Sequence, residues 1–271
     1  MSFIHLHAAT AFSAHYGVSW PEEMADAAAA DGADALACTD RDGLYGTVKH
    51  LRACMEAGID PIVGVDLAVL DSGNAVTGRV VILAHGHNGG AGYSALCRLI
   101  SAAHASTSAS RARTGKPVGV TMEQLARYVS GSPDTGDSDS RTAPAASGQE
   151  GEPLLTVLVG PQSDVGLAMR SRSYAVARTL FGHWRAAIPA GALAVEVVTH
   201  LAPPGENLSL AHAVRMFRLA DEMRIPAILT NAVRYVDEDG AATADVLDAA
   251  RSLTSLSRLP DRQPNGQGWL K

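Results

Sequence analysis

The chain has 271 residues, 46% of them hydrophobic, with a formal net charge of −6 and a pI near 5.9. That length supports one large α/β barrel domain or two smaller domains. The charge excludes a whole-surface basic footprint for nucleic acid but leaves room for a local basic patch.

Cys38, Cys54 and Cys97 have no CxxC spacing, which fits buried thiols in a reducing cytosol. The start, MSFIHLH, has neither a basic leader nor a long apolar run, and no stretch of membrane-spanning length follows. A cytoplasmic protein without signal peptide or membrane span is therefore expected.

In chain order, FIHLH (3–7) predicts a strand. WPEEMADAAAADG (20–32) predicts a helix with Ser19 as N-cap, Pro21 in the first turn and Gly32 as stop. ALACT (35–39) predicts a strand and LYGTVKHLRACMEAG (44–58) a helix. PIVGVDLAVL (61–70) and RVVILAH (79–85) predict strands joined through DSGN (71–74). A helix over 92–104 and a weaker one over 121–129 precede a strand at 154–160. Helices over 163–183, a strand at 192–199, a long helix at 207–224, a strand at 226–232 and a helix near 239–252 complete the pattern. Strand–helix alternation with about seven strands argues for a mainly parallel barrel with helices outside. Such barrels place their chemistry at the carboxyl ends of their strands.

Residues 131–152 contain no large apolar side chain and read as a disordered insertion; a hinge between domains is the rival reading. The expected division is a domain over 1–253 followed by a connector over 254–271 that leads into something else.

FIHLHAATAFSAHYG, TDRDGLYG, GIDPIVGVDL, ILAHGHNGGAGYSALCRLISAAH and PAILTNAVRYV occur in an order and spacing that resemble the N-terminal PHP (polymerase and histidinol phosphatase) domain of bacterial DNA polymerase III alpha subunits. The phrasing is most similar to the actinobacterial error-prone branch. The resemblance implies a distorted (β/α)7 barrel of PHP type. It also implies a role in DNA replication or error-prone repair synthesis, within a much longer nucleotidyltransferase. Nothing in the chain looks like the palm aspartates of such enzymes, so it is not expected to polymerise DNA alone.

Active PHP domains resemble phosphoesterases that gather His, Asp, Glu and Cys around two or three metals. By this resemblance the surviving ligand chemistry is His7, Asp66 and, beside them, Asp40. The positions where ligands are replaced are Ala9, Tyr16, Arg41, Pro161, Ala232 and Arg234. Arginine does not deprotonate to ligate a metal. Arg41 and Arg234 are instead expected to pair with Asp40 and Asp66.

The implied role is structural or docking, with no catalytic residue and no cofactor. The implied partners are a polymerase core in the same or a companion chain, DNA through the full-length protein, and replication or translesion accessory proteins. The alternatives are an active phosphoesterase or 3′–5′ proofreading exonuclease using zinc or manganese, and a module that binds DNA or accessory proteins. Among the remaining groups, His85-Gly86-His87 reads as a pair of loop histidines, and His104, His183, His200 and His212 as surface or helix-end residues. Glu196 either faces the barrel mouth or has a strand-packing or hydrogen-bonding role. The basic run at 111–116 reads as a solvated loop.

Overall fold

A computed structural model describes residues 3–114, 117–131, 152–259, 262 and 268–270. Apart from its two end residues, the segment 131–152 read as an insertion lies outside the described residues, as do the side chains of the basic run 111–116 and much of the connector.

The strands are β1 (Ala35–Cys38), β2 (Asp60–Leu70), β3 (Val76–Ala84), β4 (Gly119–Thr121), β5 (Leu155–Val159), β6 (Leu193–Val197) and β7 (Ala227–Leu229). The helices are α1 (Pro21–Ala30), α2 (Thr47–Ala57), α3 (Ala91–Thr114), α4 (Met122–Val129), α5 (Asp164–Arg170), α6 (Tyr174–Ala187), α7 (Leu210–Met223) and α8 (Gly240–Arg251). Among the described residues these strands form one seven-stranded sheet in the order β1-β2-β3-β5-β6-β7, with β4 beside β2. Most pairings are parallel, but β3 runs antiparallel to both β2 and β5. A tight turn causes that reversal: Asp71 Oδ1 accepts from the Gly73 and Ala75 N–H groups, each at 2.8 Å, and Asn74 has a φ of 65°.

The first segment is not a regular strand. It is an extended run between β1 and the residues after β7, joined to them by isolated bridges His5–Leu36 and Ala8–Val233. Ala37 and Thr39 donate to the carbonyls of His5 and Ala8 (2.9 and 2.8 Å), while Ala9 and Val233 exchange bonds with Val233 and His7 (2.9 Å each). This run curls the sheet into a barrel and delivers His7 to its mouth.

Strand parity explains where the core lies. Val65, Leu67 and Val69 of β2, with Val157 and Val159 of β5 and Val195 of β6, pack outward beneath the helices. Their alternates Val81, Leu83, Leu158 and Ala194, with Ala37, fill a small inner cluster. A third cluster packs α1 and α2 against β1 through Met24, Ala28, Leu36 and Cys54. Burial pushes the Cys54 thiol up to about 11 and leaves it a small inert hydrophobe.

Several helix ends follow their sequence signals. Pro21 opens α1, Gly58 ends α2 with φ 75°, and Thr121, Ser163 and Ser209 cap α4, α5 and α7. Ser19 is not the cap of α1. That position is Trp20, whose N–H is taken by Glu23 at 2.8 Å, while Ser19 Oγ accepts from Val236 N. The end of the chain also rejoins the barrel. Tyr235 bridges Trp269, and Leu270 is buried in the cluster with Ala8 and Val233.

Candidate functional site

The mouth of the barrel opens into a cavity of about 460 Å³. Extended segments and strand ends supply its polar wall: His7 from the first run, Arg41 after β1, Asp66 from β2, Arg79 from β3, Glu196 from β6 and Arg234 after β7. The antiparallel β3 makes Arg79 part of this wall. Arg79 lies opposite Ala68, so it is the diagonal neighbour of Asp66 on the same sheet face.

Asp66 is buried between two guanidiniums. Arg41 Nε donates to Oδ2 at 2.9 Å and Arg79 Nε to Oδ1 at 2.8 Å. Arg79 Nη2 also reaches the Asp66 carbonyl and Asp42 Oδ1, both at 2.8 Å. Burial opposes ionisation of Asp66, but Arg79, Arg41 and then His7 outweigh it and lower its pKa to about 2.

His7 Nδ1 lies 2.6 Å from Glu196 Oε1, which also accepts from Thr230 Oγ1 at 2.6 Å. Burial would lower the imidazole pKa; the Glu196 charge and hydrogen bond, helped by Asp66, raise it to about 9. Gly160 makes room for this pair, because a Cβ there would overlap the Glu196 carboxylate. Glu196 thus faces the barrel mouth and is at the same time hydrogen-bonded there, so the mouth and hydrogen-bonding readings hold together.

Tyr16, where the resemblance expects an acidic ligand, lies between two arginines. The Arg41 guanidinium carbon is 3.4 Å and that of Arg234 4.0 Å from the ring centroid. Burial favours the neutral phenol, yet Arg41, Arg234 and His7 lower the pKa of Tyr16. Arg234 does not pair with Asp40 or Asp66. It forms a fork with Asp248 of α8 (2.8 and 3.1 Å) and donates to the Tyr16 carbonyl through Nε and Nη2 (3.1 and 2.9 Å). Arg251 adds a 2.7 Å contact to the same Asp248.

Asp40 is elsewhere. It does not line the cavity. Its carboxylate accepts from Thr10 N (2.8 Å), Thr10 Oγ1 (2.9 Å), Ser13 Oγ (2.8 Å) and Gly46 N (3.2 Å). It therefore fastens the loop after the first run to the start of α2; Asp40 does neighbour Asp66, but the expectation that its carboxylate joins His7 and Asp66 is corrected. Because these backbone and hydroxyl partners donate, Asp40→Asn brings an NH2 against donors. The expected loss is about 1–3 kcal/mol in urea unfolding, a charge-assisted set traded for a mismatched one.

The replaced positions fall around the same mouth. Pro161 and Ala232 line the cavity, and Ala9 is buried one residue beyond Ala8 in the closing run. Among the described residues no group of three or more His, Cys, Asp or Glu is placed to hold a metal ion. His85 and His87 do not line the mouth; their rings meet edge to face at 5.0 Å, with His85 on Thr156 Oγ1 at 2.6 Å and His87 3.6 Å from Glu152. His200 and His212 are buried rather than superficial. His212 bonds the Gly166 carbonyl at 2.9 Å, and burial lowers its pKa to about 4.

The two shifted groups set a pH window. Asp66 drops from 3.8 to about 2, so its contribution of roughly 2 kcal/mol is present above pH 3.8 and lost as pH falls towards 2. His7 rises from 6.5 to about 9, so roughly 3 kcal/mol is present below pH 6.5 and lost as pH rises through 9. Urea unfolding across pH should show a plateau between these limits, and His7→Gln should flatten its alkaline edge.

A curled mixed sheet, helices outside and a polar mouth built from strand ends define a PHP-type barrel. The PHP domain model matches residues 5–200, and the chain belongs to the PHP domain family. It is similar to the error-prone DNA polymerase of Symbiobacterium thermophilum, with 31% identity over 274 residues, covering all of this chain and 23% of that protein. The error-prone DNA polymerase of Mycobacterium tuberculosis strain H37Rv is 37% identical over 111 residues, covering 38% of this chain and 10% of that one. The chain thus spans less than a quarter of the length of these relatives. Among solved structures, an amidohydrolase from Chromobacterium violaceum shares the fold, with TM-score 0.50 and 18% identity over 85% of this chain and 87% of that one. No helix among the described residues is long and apolar enough to cross a membrane.

Proposed function

We propose that this chain serves as the PHP domain of an error-prone-type DNA polymerase whose metal site has degenerated, supporting and docking a polymerase core rather than hydrolysing phosphoesters. The observation that carries this reading is the double clamp on Asp66. Both carboxylate oxygens are held by arginines, at 2.9 and 2.8 Å. A divalent cation there would have to displace one guanidinium and endure the other. Two unit charges about 4 Å apart interact by about 4 kcal/mol at a near-surface dielectric, and a dication doubles that repulsion. His7 is tied to Glu196, and Arg234 offers no lone pair. The residues present therefore do not fit a metal centre.

The docking part of the proposal draws on exposed apolar rows. Leu210, Val214 and Phe217 follow one face of α7 at 56%, 39% and 57% exposure, a spacing suited to covering by another element.

The test is a phosphoester hydrolysis assay on purified protein supplied with manganese or zinc. The expected result is no turnover above that of His7→Ala. Metal-dependent turnover that disappears in His7→Ala would overturn the proposal.

A further inference from the structure

The last stretch of the chain, PDRQPNGQGWLK (260–271), has no large apolar side chain before Trp269 and Leu270. Among its described residues, those that meet the barrel wall are 268–270. They lie along residues 231–235, just after β7. Arg234 N–H donates to the Gly268 carbonyl at 2.9 Å and Leu270 N–H to the Tyr235 carbonyl at 3.1 Å, around a parallel bridge between Tyr235 and Trp269. Side chains reinforce the pairing. Asn231 Nδ2 donates to the Trp269 carbonyl at 2.7 Å, and Gly268 N–H donates to the Tyr235 hydroxyl at 3.2 Å. Leu270, 4% exposed, sits in the cluster with Ala8 and Val233.

The wall has other bonds to hold it closed. Val233 exchanges bonds with His7 and Ala9, the Arg234 carbonyl accepts from Val18 N–H at 2.8 Å, and Val236 N–H donates to Ser19 Oγ at 3.0 Å. Lifting residues 268–270 away would leave the Arg234 N–H and the Tyr235 carbonyl as an open strand edge beside the apolar slot of Leu270. Such an edge takes up an extended peptide: main-chain bonds supply affinity and the side-chain slot supplies choice. We infer that the edge along residues 231–235 is a strand-addition receptor for an extended peptide in which an aliphatic residue follows an aromatic one, filled in this chain by its own residues 268–270. Arg234 links that edge to the mouth. Its N–H holds the tail, while its guanidinium floors the mouth on Asp248 and the Tyr16 carbonyl. Emptying the edge therefore loosens the floor.

Fluorescence anisotropy tests this with the whole chain and a fluorescein-labelled peptide of the sequence 263–271. Leu270→Asp in the chain removes the apolar anchor and frees the edge. The peptide should bind this variant at least about tenfold more tightly than the wild-type chain, whose edge is filled, because burying one leucine is worth that factor or more. A peptide that itself carries Leu270→Asp should bind neither. Circular dichroism checks that the variant is folded, and Leu270→Ser takes its place if it is not. Hydrogen exchange on the wild-type chain needs no variant. Relative to intrinsic rates, the Arg234 N–H should exchange at least about tenfold faster than the Val233 N–H, whose partner is His7, because a separable strand opens before the barrel does. Absence of peptide binding to a folded variant, equal binding to wild type and variant, or equal protection of the two amides would overturn the inference.

Discussion

Replacing Arg234 by alanine should lower the free energy of unfolding by about 3–5 kcal/mol, the cost of breaking a buried ion pair from one side. The side chain is 4% exposed, and its fork bonds both oxygens of Asp248. Removing it strands a carboxylate that is only 8% exposed, leaving Arg251 as its partner from the rim. It also releases the Tyr16 carbonyl and one of the three guanidiniums over the Tyr16 ring. Since Tyr16 and Asp248 belong to opposite ends of the sequence, the substitution should loosen the joint between the first loop and α8. Urea unfolding measures the loss. Arg234→Lys keeps a charge but not the fork, and should recover only part of it. An unchanged midpoint in Arg234→Ala would show that the fork contributes nothing net.

Asp66→Ala should be comparably costly, about 3–5 kcal/mol, for the opposite reason: it leaves two partly buried cations facing each other without their shared anion. Arg41 and Arg79 have side chains 11% and 20% exposed, so water compensates only in part. Asp42 would retain Arg79, and Gln162 would retain Arg41. Adding Arg41→Ala to Asp66→Ala should therefore destabilise by less than the sum of the single losses. A double-mutant cycle measures that coupling. Additive losses would mean that Arg41 and Asp66 do not interact.

Much of the barrel was legible because period and punctuation agree in β1, β2, β5 and most helices. Glu196 as a possible mouth residue followed from alternation within its strand, whereas Asp66 was placed at the site by the family resemblance. Arg79 was open to the same alternation logic as Glu196: it stands two residues before Val81 and four before Leu83, both inner residues of the same strand. It was missed because the strand's reversal, not its pattern, brings its beginning to the mouth. Strand β4 has three residues and no period to read. Asp40 and Arg234 were misplaced for a different reason. Their partners, Thr10 and Ser13 for one and Asp248 for the other, are chosen by tertiary packing, and a charged residue in sequence does not say which way its side chain turns. The family resemblance located the lost ligand positions. It did not say what their replacements would do together.

The most direct measurement of the central claim is metal content. Purified protein exposed to excess zinc or manganese, then dialysed, is analysed by elemental mass spectrometry beside Asp66→Ala and His7→Ala. If arginines occupy the place of the metals, the wild-type chain retains far less than one ion per molecule, indistinguishable from both variants. Stoichiometric metal in the wild type that is lost in His7→Ala and Asp66→Ala would contradict it.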